Sequence, residues 1–171
     1  MSGGTGWIEE LRTQLIDQFP FHAHLGLKLD ESGRPVTLLL PDDGTTRNHV
    51  GTHSGASLFA VADAASAAAL IVGLRPHLTE FAGVVSRATM SFLHPSVGSI
   101  KAVARTAVAP VWIAQELLGG GRVRTDVEST LTDEAGKTVC QVVVTWHLRP
   151  PSDEMPALWR RDPASGTAPR P

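Results

Sequence analysis

The sequence Asn48-His-Val-Gly-Thr-His-Ser-Gly55 leads directly into Ala56-Ser-Leu-Phe-Ala-Val-Ala-Asp63, and this segment carries the strongest signal of the fold. Its first part is a polar loop punctuated by glycine, and its second part opens an almost wholly apolar helix. A helix start leaves free backbone N–H groups and the positive end of the helix dipole beside the polar side chains of the loop. This combination is typical of a site that binds an anion or an oxyanion.

Asp63 is the one charged residue between Leu58 and Leu74. Carboxylates are seldom buried without a partner, so a lone one on an apolar helix needs a physical reason. We interpret Asp63 as part of a functional site. The alternative interpretation is a carboxylate that a neighbouring strand or solvent satisfies.

The composition indicates one soluble domain. With 171 residues, a formal charge of -2 and a pI near 6.4, the chain has room for one core and lacks the basic character expected for binding nucleic acid or an anionic membrane. The apolar run that carries Asp63 falls just short of the roughly 20 residues that span a bilayer, so we interpret it as a buried helix. The single cysteine, Cys140, excludes an internal disulfide and favours a cytoplasmic location.

Hydrophobic periodicity predicts a helix over residues 7–19, because apolar residues there recur on one helical face. Two short strands, over residues 24–29 and 35–40, are predicted next, and the turn-forming residues 30–33 suggest that they make a hairpin. The long apolar helix then ends near Gly73 and Pro76.

After that helix the period changes from 3.6 to 2, which predicts strands over 84–93, 99–108, 122–132 and 138–148. The connection 110–121 is predicted to be a short helix or a mobile flap. This is an α+β plan in which a curled sheet wraps one helix. We expect residues 1–149 to form a single domain and the proline-rich residues 150–171 to form a disordered tail.

The central motif resembles that of the hotdog-fold acyl-CoA thioesterases, in particular the branch of the phenylacetate-pathway thioesterase and its relatives. That branch carries an asparagine, then Gly-Thr, then His-Gly-Gly, and finally an Asp or Glu inside the central helix. Counted back from Asp63 without gaps, the chain has matching residues at Phe59, Leu58, Gly55, Thr52, Gly51 and Asn48. The resemblance covers residues 20–148 and implies a hotdog fold, in which a curled antiparallel sheet wraps the long central helix.

The chain departs from the family motif at three places, one of which is Ala56 in place of the second glycine. Ser54 occupies the position of the family histidine, and His53 lies one residue earlier. In the following strand some relatives carry a serine that positions water, where this chain has Val85. Ser86 comes one residue later, and the alternation of side chains along a strand predicts that it faces the opposite side.

The resemblance implies hydrolysis of an acyl-CoA or a related thioester, with no cofactor beyond the coenzyme A of the substrate. The implied catalytic residues are Asp63, which activates water or attacks directly, and Gly55, whose N–H polarises the carbonyl. Asn48, together with His53 or Ser54, would orient substrate or water. The candidate substrate-binding residues are Gly51, Thr52, Phe59, Ser86, Arg122 and Arg124, although the two arginines also fit a solvated strand face. No histidines and carboxylates of the sequence form a known metal motif.

Eight residues separate Gly55 from Asp63, which is about 12 Å along a helix. Groups that far apart cannot contact one carbonyl, so we expect a site between antiparallel helices of two subunits, in a dimer or a tetramer. Two other functions stay open. One is non-catalytic binding of acyl-CoA or lipid, and the other is a hotdog dehydratase, which needs an acid and a histidine a few residues apart at the helix entry.

Overall fold

The computed structural model describes residues 6–30, 35–78 and 81–150. Its helices, in chain order, are α1 (Gly6–Arg12), α2 (Pro20–His24), α3 (Gly55–Leu74) and α4 (Pro110–Leu118), with a π-helical turn at Thr13–Asp17 between the first two. Its strands are β1 (Lys28–Asp30), β2 (Thr37–Leu40), β3 (Ala82–Phe92), β4 (Ile100–Thr106), β5 (Val123–Thr132) and β6 (Thr138–Arg149).

The six strands form one antiparallel sheet in the order β1-β2-β4-β5-β6-β3. Helix α3 packs across β2, β4, β5 and β6. Strand β5 illustrates the division of the sheet, because Val127 and Leu131 are buried while Arg124 and Glu128 on the alternate face are exposed. The predicted α+β architecture, with a sheet that wraps the central helix, is confirmed.

Helix α3 is the centre of the core. Val61, Ala62 and Leu70 are almost completely buried, and apolar residues occupy nearly every side of the helix. Among the described helices, α3 is the one whose length and composition would suffice to cross a membrane, and most of it is buried inside the protein. The structure therefore fits the interpretation of this segment as a core helix.

The N-terminal predictions were partly wrong. The single helix expected over residues 7–19 is an α-helix that passes into a π-helical turn, and a separate short helix, α2, starts at Pro20. Proline is favoured at the first position of a helix, where its missing N–H costs nothing. Residues 24–27 therefore do not belong to a strand, and β1 starts only at Lys28. The β1–β2 hairpin is confirmed, and its connecting residues 31–34 lie outside the described residues.

The connection after β4 forms a helix, α4, which was one of the two predicted alternatives. Ile113, Ala114 and Leu117 bury one side of it against α3 and β5. The contact is close, because a Cβ atom added to Gly73 would lie 2.8 Å from Cγ of Pro110. Glycine at position 73 thus lets the end of α3 meet the start of α4.

The four long strands agree with the predicted ones to within two residues at each end. Strands β5 and β6 form the predicted hairpin, and Gly136 in its turn has a φ of 78°, a conformation that glycine adopts easily. The predicted tail begins at Pro150, and residues 151–171 lie outside the described residues.

Candidate active site

The loop before α3 is organised by Asn48. Its Oδ1 accepts from the N–H groups of Val50 (3.0 Å) and Thr52 (3.2 Å), and its Nδ2 donates to Oγ1 of Thr52 (2.8 Å) and to the carbonyl of His53 (3.3 Å). Asparagine suits such a turn because its short amide bonds to the nearby backbone. The polar atoms of the Asn48 side chain are therefore all engaged inside the loop, so the structure favours a positioning role.

The ring of His53 is buried beneath the same loop and is 3% exposed. Nε2 lies 2.8 Å from the carbonyl oxygen of Gly98, to which it must donate, and Nδ1 lies 2.7 Å from Oγ1 of Thr46. Both ring nitrogens are therefore occupied by the protein. The structure places His53 as an anchor between the loop and the β3–β4 connection.

Ser54 is the N-cap of α3. Its Oγ accepts from the N–H of Ser57 (3.2 Å), as serine does before a helix. The next two N–H groups, those of Gly55 and Ala56, have no acceptor among the described residues. They form the anion-attracting helix start that the sequence predicts.

Glycine at position 55 lets the ring of Phe92 lie close to the helix start. A Cβ atom added there would lie 3.0 Å from Cζ of Phe92, at the end of β3. The end of β3 is therefore a direct neighbour of the helix start. Thr52 is half-buried and holds Asn48, while Gly51 is exposed with a φ of 83° that closes the loop.

Asp63 lies two turns further along α3, half-buried, with Phe59 one turn before it. Its Oδ1 is buried and has no hydrogen-bond partner among the described residues. Burial raises the pKa of Asp63, and the positive charge of His22 acts in the opposite direction. A buried carboxylate oxygen without a partner is costly, and this cost makes Asp63 the candidate reactive group of the site.

The backbone of α3 is held to the sheet at this point. Oγ of Ser66 donates to the carbonyl of Asp63 (2.8 Å) and accepts from the indole N–H of Trp146 (3.0 Å). Oγ of Ser129 donates to the carbonyl of Ala62 (2.9 Å). Hydrogen bonds from Ser66 and Ser129 thus reach the helix backbone next to the carboxylate.

Ser86 sits at a β-bulge in β3, since the pairing with β6 shifts between Val85 and Arg87. Its Oγ donates to the carbonyl of Thr145 at 3.3 Å. The predicted strict alternation of side chains is therefore broken at this residue, because a bulge inserts one unpaired residue into a strand. The sequence contains no signal that distinguishes this bulge from a regular strand.

The structure does not bring the two candidate arginines to the helix start. Arg124 lies between Val123 and Thr125, which are buried, so its side chain belongs to the sheet face opposite α3. Arg122 is exposed just before β5. Sequence reasoning also did not identify the buried His22. This residue lies in α2, which packs against α3, and such a contact between separate segments leaves no local sequence pattern.

Within residues 6–30, 35–78 and 81–150, no group of three histidine, cysteine or acidic side chains could hold a metal ion. Cys140 is buried in β6, and burial raises the pKa of its thiol to about 11. A thiol with so high a pKa is a poor nucleophile at neutral pH.

The chain belongs to the family described as a domain of unknown function (DUF4442), which matches residues 19–148. Among curated proteins, no sequence matches it. A Pseudomonas aeruginosa protein of unknown function, described as a probable thioesterase, is 26% identical with a TM-score of 0.71, and the match covers 83% of this chain and 95% of that one.

Two further solved structures share the fold. The Escherichia coli PaaI protein, from the phenylacetic acid degradation operon, is 19% identical over 82% of this chain and 91% of its own, with a TM-score of 0.60. A Bacillus halodurans protein solved with CoA is 18% identical over 65% of this chain and 69% of its own, with a TM-score of 0.53. The fold is therefore the hotdog fold, and the predicted resemblance to the hotdog thioesterases is confirmed.

Proposed function

We propose that this protein hydrolyses acyl-CoA thioesters at a site shared by two copies of the chain. The observation that carries the proposal is Asp63, a carboxylate with a buried, unpartnered oxygen on the central helix of a thioesterase-family fold. The CoA bound to the Bacillus halodurans relative supports a CoA thioester as the substrate class.

The chemistry follows from two groups. The free N–H of Gly55 at the helix start polarises the thioester carbonyl and stabilises the negative charge that develops on its oxygen. Asp63 of the other subunit removes a proton from water, which attacks the carbonyl carbon, or attacks that carbon itself. The C–S bond breaks, and the CoA thiolate leaves and takes up the proton that water gave to Asp63. If Asp63 attacks directly, the product is a mixed anhydride on Asp63, which water then hydrolyses. Both routes yield a carboxylic acid and free CoA. This reaction requires no metal and no cofactor besides the CoA of the substrate.

A second subunit is needed because Gly55 and Asp63 are about 12 Å apart along α3. Strand β3 offers the surface for it, since it pairs on one side with β6 and forms an edge of the described sheet on the other. This edge is eleven residues long and carries Val84 (60% exposed) and Phe92 (62% exposed), whereas β1 at the opposite edge has three residues. A long edge strand with exposed apolar side chains can pair with a second chain.

Pairing at β3 also brings the partner to the right place. The end of β3 lies against the start of α3, where the ring of Phe92 is next to Gly55. A partner strand along β3 therefore brings its own subunit beside the helix start. We propose a dimer in the cytoplasm, which can associate further into a tetramer.

Non-catalytic binding of acyl-CoA or lipid is the second candidate. Asn48 and His53 form their side-chain hydrogen bonds within the protein, and this favours the second candidate. Few polar side chains then remain near Asp63 to orient substrate or water. A dehydratase is less favoured than either, because the histidine nearest the helix entry has both ring nitrogens occupied.

Release of free thiol from short, medium, long and aryl acyl-CoAs tests the proposal. A hydrolase releases CoA with turnover, whereas a binder raises its melting temperature with ligand and releases none. Light scattering at micromolar protein tests the shared site, and a protein that is monomeric yet fully active would overturn it. Val84→Lys, which places charge on the β3 edge, should weaken both dimer and activity, and Lys101→Glu on the exposed outer face of β4 is the matched control.

A further inference from the structure

The side of β3 that faces the helix layer is open, although the corresponding side of its neighbour β6 is core. Ala88, Met90 and Phe92 of β3 lie opposite the buried residues Val144, Val142 and Cys140 of β6. Residues opposite each other on neighbouring antiparallel strands share one face of the sheet. Ala88 and Phe92 are nevertheless exposed, and β3 is not among the strands that α3 packs across. The described residues therefore leave this side of β3 uncovered.

The start of α3 lies level with the end of β3 along the strand direction. A Cβ atom added to Gly55 would lie 3.0 Å from Cζ of Phe92, so the ring of Phe92 lies against the helix start. In the proposed reaction the N–H of Gly55 binds the thioester oxygen. Phe92 therefore marks the level at which each subunit contributes its helix start.

Asp63 lies level with a different residue of β3, Met90. The carbonyl of Ala62, the residue before Asp63, accepts from Oγ of Ser129 in β5 (2.9 Å). Ser129 and Met90 both lie opposite Val142 of β6, so the three strands carry them in one row. The carboxylate and the helix start of one subunit are thus two strand residues apart, which is about 7 Å along β3.

A shared site requires that the Asp63 of one subunit lie close to the helix start of the other. If two copies of β3 pair antiparallel about a two-fold axis, the position of the axis decides which levels meet. An axis at Met90 or at Ser91 brings Asp63 within about 7 Å, along the strand, of the level of the partner's helix start. An axis nearer the start of β3 moves the two groups further apart.

The side chains of β3 favour Met90 over the other axis positions. With the axis at Met90, the ring of Phe92 lies opposite the partner's Ala88, a small exposed residue that leaves room for the ring. With the axis at Ser91, the same ring would lie opposite the longer side chain of the partner's Met90. An axis at Arg87, in the middle of β3, would place two arginines directly opposite each other, and like charges in that position destabilise a strand pair.

The exposed apolar residues at the two ends of β3 support the same register. Val84 lies at its start and is 60% exposed, whereas Leu93 (45%) and Val97 (61%) follow its end. An axis at Met90 brings the start of β3 beside the segment that follows β3 in the partner, so that these side chains can cover one another. An axis at Arg87 would leave Leu93 and Val97 beyond the start of the partner's strand.

We propose that β3 pairs antiparallel with the β3 of a second copy about a two-fold axis at Met90, so that Ala88 of each copy lies opposite Phe92 of the other. The inference rests on the proposed hydrolysis, because the shared site limits where the two strands can meet. The ring of Phe92 then lies between its own helix start and Asp63 of the partner subunit, and it becomes part of the shared site.

Cysteine cross-linking tests this register from the other face of the sheet. Thr89 and Ser91 are exposed there, and an axis at Met90 puts Thr89 of one copy opposite Ser91 of the other. Opposed Cα atoms of an antiparallel pair are about 4.5–5.5 Å apart, which is within the range that a disulfide spans. The one native cysteine, Cys140, is buried and does not compete.

The double variant Thr89→Cys/Ser91→Cys should form a covalent dimer under mild oxidation, as seen by non-reducing electrophoresis. We expect about fivefold or more covalent dimer than in either single variant, because neither position faces its own copy in this register. An equal mixture of the two single variants should also cross-link, which keeps the register testable if the double variant does not fold. Thr130→Cys, exposed on the same face of β5, is the matched control and should stay monomeric on the gel.

Other registers have their own signatures. Efficient cross-linking of Ser91→Cys alone would place the axis at Ser91, and cross-linking of Thr89→Cys alone would place it at Thr89; either result overturns the proposed register. Covalent dimer no more abundant than in Thr130→Cys, for the double variant and for the mixture, would overturn the pairing of β3 with a second copy.

Turnover separates the inference from the proposed function. If the double variant cross-links as expected and neither it nor the parent hydrolyses any acyl-CoA, the register is supported and the function is overturned. If the parent hydrolyses acyl-CoA but the cross-links place the axis elsewhere, the inference alone is overturned.

Discussion

The loop before α3 and the carboxylate two turns into α3 belong to one sequence motif, but their polar groups are satisfied differently. The side chains of Asn48 and His53 form hydrogen bonds with other groups of the protein. Asp63, in contrast, has a buried oxygen with no partner among the described residues. Polar groups whose hydrogen bonds are all made within the protein stabilise the loop. A polar group without such a partner can still form a hydrogen bond to a ligand. One motif therefore combines a hydrogen-bonded loop with a carboxylate oxygen that the described residues leave unsatisfied.

The largest effect is expected from Asp63→Asn, which keeps the shape of the side chain and removes its charge. If Asp63 is the base or nucleophile, kcat for the best acyl-CoA should fall by about 10²–10⁴-fold in a folded protein. Steady-state thiol release together with a circular dichroism spectrum checks this. A variant that retains at least a third of the parent rate would show that Asp63 is a structural residue like those of the loop.

His53→Ala should instead reduce stability. It leaves the buried hydroxyl of Thr46 and the carbonyl of Gly98 without their partner, which we expect to lower the free energy of unfolding by about 2–4 kcal/mol. The rate per folded molecule should change by no more than a few-fold. Urea unfolding measures the first quantity, and His49→Ala, at an exposed position of the same loop, is the control with little expected change. A large loss of kcat in a stable His53→Ala protein would show that this residue takes part in the reaction, as Asp63 is expected to.

Ser54→Ala removes the N-cap of α3 and should cost about 1 kcal/mol of stability. Its kinetic effect distinguishes a cap from a residue that took over the role of the family histidine. Equal kcat in the variant and the parent would show that Ser54 only caps the helix. A tenfold loss of kcat with unchanged melting temperature would show that Ser54 orients the substrate.

Asp63 also predicts a pH dependence of stability. Burial raises its pKa in the folded state, so its contribution is most favourable below the unfolded value, about 3.9, and is lost as the pH rises through the folded one. Asparagine does not ionise. Asp63→Asn should therefore gain stability relative to the parent between pH 4 and pH 8, as measured by urea unfolding at several pH values. A relative gain by the parent over that range would mean that the carboxylate has a partner after all.

The smallest effect is expected outside both regions. Removal of residues 151–171, which lack a periodic apolar face, should leave melting temperature and turnover unchanged. Differential scanning fluorimetry and thiol release check this prediction. A marked drop in melting temperature would show that the tail docks on the domain.

Much of the fold could be predicted from the sequence because its signals are local. The apolar run of α3 and the alternating pattern of Val123, Val127 and Leu131 reflect which side chains must leave water, and these patterns repeat with the period of the helix or strand. The N-terminal region was harder, since a π-helical turn and a short helix at Pro20 replace the expected helix and strand. The bulge at Ser86 was not predictable either, because it is a property of the pairing between β3 and β6.

Local sequence patterns are sufficient for the central helix, the lone Asp63 within it, the capped loop before it and the family to which the chain belongs. The packing of distant segments, which the sequence does not show, engages both nitrogens of His53 and leaves Oδ1 of Asp63 buried without a partner among the described residues. Its contacts also decided that β3 is the long free edge of the described sheet. Hydrogen bonding and electrostatics inside a core depend on which distant segments meet, and the side-chain pattern of one segment does not contain that information.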